Sequence, residues 1–107
     1  MKRSPLFVWF LIFALYSCGD DAFVTSRSDV DRANEFLSDG QYERALKAYE
    51  SLHSTHPKIA FNRGLSLYFL ERYDEAIGAF GEVRESPDPV LKATSYFHSG
   101  NAYLRKA

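Results

Sequence analysis

Few residues of this sequence are of the types that carry out chemistry. It holds one cysteine, Cys18, and three histidines, His53, His56 and His98. His53 and His56 are three residues apart, a spacing at which two imidazoles on one helix can bind a metal ion, but no cysteine or well-placed carboxylate completes such a site. There is no nucleophile elbow around a serine and no glycine-rich phosphate loop. We therefore predict no metal, no cofactor and no enzymatic activity.

The cysteine follows an N-terminal segment that differs from the rest of the chain. Lys2 and Arg3 precede an unbroken apolar run of eleven residues, from Leu6 to Tyr16. This run is shorter than the roughly 20 residues that span a bilayer as a helix. It has the length of the apolar core of a secretory signal. We predict a signal peptide over residues 1–17 and a polar, flexible tether over residues 18–27.

The stretch Leu15-Tyr16-Ser17-Cys18 resembles the lipobox of bacterial lipoproteins, with Tyr16 where most of them have a small or aliphatic residue. The resemblance implies that Cys18 becomes a lipidated N-terminus, and two or more acyl chains make a stable membrane anchor. A lone cysteine also has no disulfide partner within an exported chain. By the same resemblance, Gly19 favours the outer membrane of a bacterial cell envelope. An ordinary signal peptide or an uncleaved anchor remains the alternative.

The charge of the mature chain argues against one class of partner. Removal of residues 1–17 takes away Lys2 and Arg3 and leaves 11 basic against 14 acidic residues, a net charge near −3. Proteins that bind nucleic acid usually present a basic surface. We therefore do not expect a nucleic acid partner.

The remaining residues, 28–107, show the spacing of amphipathic helices. Gly40, Pro57 and the pair Asp88-Pro89 interrupt the pattern, since glycine ends helices and proline starts them. The predicted helices run from Ser28 to Ser38, from Gln41 to His53, from Lys58 to Leu70, from Tyr73 to Glu85 and from Val90 to the end of the sequence. The sequence therefore predicts an all-α domain of five helices.

A glycine lies in the middle of the third helix, where it costs roughly 1 kcal/mol relative to alanine. Ala76 follows Gly64 by twelve residues. We interpret this pair as a contact between two helices that lie too close together for larger side chains. Ala33, Ala45 and Gly100 are predicted to serve the same packing in the neighbouring helices.

Gly64, Leu67, Tyr73, Ala76 and Phe80 match the small, large and aromatic positions of the tetratricopeptide repeat, a helix-turn-helix unit of about 34 residues. The chain resembles this family over about 80 residues, with two repeats and the first half of a third. The resemblance implies antiparallel helix pairs stacked into a right-handed superhelix, and a protein or peptide partner bound in its concave groove.

The first helix of each repeat lines the groove in this family. The resemblance therefore implies groove positions at Asn34, Phe61, Asn62, Leu65, Phe69, Phe97, His98 and Asn101. Asn34 and Asn62 match asparagines that hold a C-terminal carboxylate in chaperone-binding relatives. That clamp also needs basic residues, and Val30, Thr94 and His98 stand in their places. Without a fixed cation most of the charge-assisted bonding is lost, so we do not expect this clamp.

The last helix has two apolar faces but no helix after it in the sequence. Either the chain is a shortened piece of a longer array, or this face docks onto another molecule or a second copy of the chain. We expect a lipid-anchored interaction scaffold of the cell envelope. The alternatives are an accessory domain of a larger enzyme or sensor, and a non-functional fragment of a longer repeat protein.

Overall fold

A computed structural model describes residues 27–107 and shows an all-α fold. The predicted signal peptide, the lipidation site Cys18 and all of the tether except Arg27 lie outside the described residues. The helices are α1 (Arg27–Ser38), α2 (Tyr42–Ser51), α3 (Pro57–Phe69), α4 (Tyr73–Gly81) and α5 (Pro89–Lys106), with a 3-10 turn at Glu82–Glu85. The predicted fold class is confirmed, with five helices in the predicted order.

The helices form two pairs, α1 with α2 and α3 with α4, and one tight turn joins the two helices of each pair. Between α1 and α2, Gly40 has φ +78°, its N–H donates to the Leu37 carbonyl, and the Gln41 N–H donates to the Phe36 carbonyl. This pattern is a Schellman motif, in which a residue of left-handed conformation ends the helix. The α3–α4 turn repeats the motif, with Glu71 at φ +62° in the place of the glycine.

Two helices begin with a capping residue followed by proline. The Asp88 carboxylate accepts from the backbone N–H groups of Val90 and Leu91, at 3.0 and 3.3 Å. At the start of α3, His56 Nδ1 accepts from the Lys58 N–H at 3.2 Å. The following Pro57 and Pro89 each occupy a first helical position, where a missing N–H costs nothing. The third helix thus begins one residue earlier than predicted, and α5 begins at Pro89, as the pair Asp88-Pro89 predicts.

The predicted ends of α2 and α4 differ from the structure. The second helix ends at Ser51 because the N–H groups of Leu52 and His53 bond three residues back, and His53 takes φ +48°. The fourth helix ends at Gly81, and its predicted continuation to Glu85 forms the 3-10 turn. A run of apolar spacing does not distinguish a last helical turn from a tighter 3-10 turn, which is common at helix ends.

The core consists of two clusters, one at each helix pair. Ala33, Ala45 and Tyr49 are buried where α1 meets α2, and Leu37 and Ile59 pack around them. The second cluster joins α2, α3 and α4 and is formed by Leu46, Leu67, Ala76, Ala79 and Phe80. Leu46 of α2 and Ile59 of α3 each belong to or pack against the cluster of the other pair, so apolar contacts join the two pairs.

The packing at the repeat glycines differs from the prediction. The three atoms nearest to a Cβ built on Gly64 all belong to the Phe80 ring, at 2.6 to 3.1 Å, so the nearest neighbour of Gly64 is Phe80, which the prediction did not name. Ala76 is fully buried in the same cluster. A Cβ built on Gly100 meets nothing within 4 Å, and Gly100 is exposed. The predicted packing role of Gly100 is therefore absent among residues 27–107.

No helix in the described part of the chain is both long enough and apolar enough to cross a bilayer.

Candidate functional site

A cleft of about 250 Å³ opens between α1 and α3, the first helices of the two pairs. Its lining residues are Val30, Asn34, His56, Lys58, Ile59 and Asn62. Val30 and Ile59 provide apolar surface, Lys58 provides a positive charge, and the two asparagines provide amide groups. A cleft of this composition offers both apolar contact and hydrogen bonds to a polypeptide.

The two asparagines are joined by their side chains. The Tyr49 hydroxyl donates to Asn34 Oδ1 at 2.6 Å, and Asn62 Nδ2 donates to the same oxygen at 3.2 Å. Burial raises the pKa of Tyr49 to about 12, so its hydroxyl stays a donor at neutral pH. Asn34 Nδ2 and Asn62 Oδ1 have no hydrogen-bond partner within residues 27–107. One amide donor and one amide acceptor are thus held in fixed positions beside the cleft.

Three of the predicted groove residues are half-buried and pack against the core. Phe61 and Leu65 pack against the second core cluster, and the Phe61 ring is 5.7 Å from the Phe80 ring. His98 of α5 stands 5.7 Å from Phe61 and stacks on Phe80 at 5.8 Å. The rings of Phe61 and His98 therefore attach α5 to α3 and α4, in addition to any contact they make with a partner.

Two of the predicted groove residues, Phe69 and Phe97, are more accessible. Phe69 is 49 % exposed, and its ring stacks on Tyr42 at the start of α2, with centroids 4.8 Å apart. Phe97 is 65 % exposed and touches the His98 ring edge to face at 5.5 Å. Asn101, one turn further along α5, is half-buried. An incoming chain can reach Phe69 and Phe97 without unpacking the core.

The three histidines have different environments. His56 is the N-cap of α3, and His53 lies in the turn after α2. His98 is surrounded by aromatic rings, its Nδ1 has no hydrogen-bond partner among the described residues, and burial lowers its pKa. No group of three or more His, Cys, Asp or Glu side chains that could hold a metal ion occurs in the region from residue 27 to residue 107.

Two features of the cleft were not predicted. The sequence indicates that Asn34 and Asn62 share a face, but it gives no sign that Tyr49 of the intervening helix reaches Asn34. The position of His56 and Lys58 at the cleft was also missed, because His56 was considered only as part of a possible metal-binding pair. The signal for the cap was available, because a polar residue directly before a proline that begins a helix is at the N-cap position.

The sequence was compared with known proteins. The model of a family described as tetratricopeptide repeat matches residues 30–90. A curated TPR repeat-containing protein of Methanocaldococcus jannaschii is 34 % identical over 91 residues, which cover 73 % of this chain and 16 % of the relative. The chain therefore spans about a sixth of the length of that relative. None of the solved structures matches this chain.

Proposed function

This chain belongs to the tetratricopeptide repeat family, and we propose that it is a lipid-anchored scaffold that binds a peptide or helix of another envelope protein in its concave groove. Domains of this family bind protein partners in general. The partner's identity, the anchor and the envelope location are our proposal for this chain.

The observation that carries the groove proposal is the pair of fixed amides beside the cleft between α1 and α3. Asn34 Nδ2 and Asn62 Oδ1 can bond a carbonyl and an N–H of a polypeptide backbone. Since Asn34 is already held by Tyr49 and Asn62, little side-chain entropy is lost when the partner binds. Val30 and Ile59 add apolar contact, and Phe69 extends it along α3.

The groove is tested by affinity capture from detergent-solubilised membranes with the full chain. Asn62→Ala combined with Phe69→Ala removes one amide and one exposed ring, and we expect proteins captured by the natural chain to be lost. Lys47→Ala is the matched control, because Lys47 is exposed on α2 and lies outside the cleft. Capture of the same proteins by the groove variant as by the control contradicts the groove proposal.

The proposed anchor has its own support and its own test. It rests on the lipobox-like sequence that ends at Cys18 and on the apolar run before it. Metabolic labelling with a fatty acid should mark the natural chain, and Cys18→Ala should remove both the label and the association with membranes. Label retained by Cys18→Ala contradicts lipidation at this residue.

A second proposal concerns the organisation of the protein. The alternative is an accessory domain of a larger enzyme or sensor, and the observation beside it is that the chain covers 16 % of a longer repeat protein. The reading frame after the codon for Ala107 distinguishes the two proposals. A catalytic domain encoded there supports the accessory-domain proposal.

A further surface is available for self-association, since one face of α5 has no neighbouring helix among the described residues.

A further inference from the structure

The exposed apolar surface of the described residues is concentrated on one helix. Six large hydrophobic side chains are exposed in this part of the chain, and all except Phe69 belong to α5. The five of α5 are Val90, Tyr96, Phe97, Tyr103 and Leu104, with exposed fractions between 53 and 78 %. Exposed apolar residues that occur singly need no explanation, but a contiguous group of this kind marks an interaction surface.

These side chains repeat at intervals of seven residues. Val90, Phe97 and Leu104 form one column along α5, and Tyr96 and Tyr103 form a second. Between the two columns run Ala93 and Gly100, which are both exposed. Residues seven apart lie on the same side of a helix after two turns, and this repeat is typical of a helix that packs along a second helix. We call this face the open face of α5.

Because Gly100 has no side chain, it leaves a depression in the open face, which we call the notch. In α3 the equivalent Gly64 receives the Phe80 ring, which comes within 2.6 Å of a Cβ built there. At Gly100 the same position is empty, and a cleft of about 250 Å³ between α4 and α5 lies beside it. Within residues 27–107, the glycine of α3 thus has an aromatic ring packed on it, and the equivalent glycine of α5 has none.

We propose that the open face of α5 pairs with the open face of a second copy of this chain, with the two helices antiparallel about a two-fold axis. The self-association proposed above thereby gains a defined surface, which is separate from the cleft between α1 and α3. In this arrangement Phe97 lies near the axis, Val90 of one copy faces Leu104 of the other, and Ala93 faces Gly100.

The charges at the ends of α5 favour the antiparallel orientation. Asp88 caps the start of the helix, and Lys106 lies at its end on the same flank. The proposed register brings Lys106 of one copy beside Asp88 of the second copy. Lys106 already contacts Asp74 in its own chain at 2.6 Å, so its ammonium would bridge two carboxylates. A parallel pair would instead place Lys106 of each copy at the opposite end of the pair from Asp88, without this charge contact.

The size of the open face suits a dimer of modest affinity. With 150–250 Å² for each aromatic side chain, the exposed parts of the five apolar residues amount to roughly 600 Å² per copy. Two copies then bury roughly 1,200 Å², which is the lower end of the range for specific protein–protein interfaces.

Cysteine cross-linking tests the register with the full chain. Ala93→Cys and Gly100→Cys, purified separately and mixed under mild oxidation, should form a disulfide between the two variants. Each variant alone should form no more cross-linked dimer than the natural chain, because antiparallel packing separates the two identical positions by about 10 Å along the axis. The natural chain gives the background level of disulfide cross-linking through Cys18. Cross-linking of either variant with itself, or no cross-link in the mixture, overturns the proposed register.

A substitution in the notch tests the surface itself. Gly100→Leu fills an empty position, so the monomer should stay folded while the second copy is displaced. Gly78→Leu is the matched control, because a Cβ on Gly78 also meets nothing within 4 Å and Gly78 lies on α4, outside the open face. Sedimentation of the full chain in density-matched detergent measures the affinity of the dimer. Gly100→Leu should weaken this affinity at least about tenfold, as expected for a residue at the centre of an interface, and Gly78→Leu should leave it unchanged. Equal effects of the two substitutions, or a natural chain that stays monomeric, overturn the proposal and leave the open face to a helix of another protein.

Discussion

A glycine and a ring determine how closely α3 and α4 approach each other. The Phe80 ring is 1 % exposed, so it cannot move away from a Cβ placed at Gly64. We expect Gly64→Ala to lower the free energy of unfolding by about 1–3 kcal/mol through overpacking. Gly78→Ala, an exposed helical position with no neighbour within 4 Å, should raise it by up to about 1 kcal/mol. Urea unfolding followed by circular dichroism measures both, and a stable Gly64→Ala variant contradicts the close contact.

The backbone of Glu71 is strained, whereas the backbone of the equivalent Gly40 is not. Both residues end a helix with positive φ, but Glu71 carries a side chain into the left-handed region. An L-residue there costs roughly 1–2 kcal/mol, part of which returns as the greater freedom of glycine in the unfolded chain. Glu71→Gly should therefore stabilise the protein by roughly 0.5–1 kcal/mol, and Gly40→Ala should destabilise it. Thermal unfolding of the two variants provides the measurement, and a loss of stability in Glu71→Gly would show that the side chain is needed.

At the scale of the element, the packing of α5 against α3 and α4 should depend on pH, because His98 takes part in it. Burial lowers its pKa in the folded state below the ordinary value of 6.5, so the unfolded chain binds the proton more readily. The stability contributed by neutral His98 is fully present above about pH 6.5 and is lost as the pH falls through the lower folded pKa. The urea midpoint should decrease between about pH 7 and pH 5, before most carboxylates titrate. His98→Phe keeps a ring against Phe80 and should flatten this decrease. An unchanged slope assigns the effect to other groups.

The elements could be predicted from the sequence more fully than their contacts. Gly40 and Asp88 mark a helix end and a helix start through local backbone chemistry, and the structure agrees at both. The partner of Gly64 could not be predicted, because spacing shows which residues share a face but not how deeply two helices interlock. The burial of His98 depends on rings from α3 and α4 that are distant in sequence. Whether the groove residues bind a partner stays a prediction.

At the scale of the whole molecule, stability should be distributed unevenly along the stack. Each helix of a repeat protein is held by its neighbours. Among the described helices, the third packs against α1, α2, α4 and α5, whereas α1 packs against only α2 and α3. Amide hydrogen exchange followed by mass spectrometry should show the slowest exchange in α3 and α4, and the fastest in α1 and the last turn of α5. Uniform protection across all five helices would contradict this and indicate a single cooperative unit.

The two junctions His56-Pro57 and Asp88-Pro89 share the same design, an N-cap side chain followed by proline in the first helical position. The segment 57–88 therefore begins and ends at junctions of the same type, each of which can replace the other. An in-frame duplication of its codons would place Asp88 of the first unit before Pro57 of the added unit, where it caps the new helix just as it now caps α5. Lengthening of such a protein by whole units thus requires no change in the rest of the gene, and the length of its binding surface can evolve independently of its architecture.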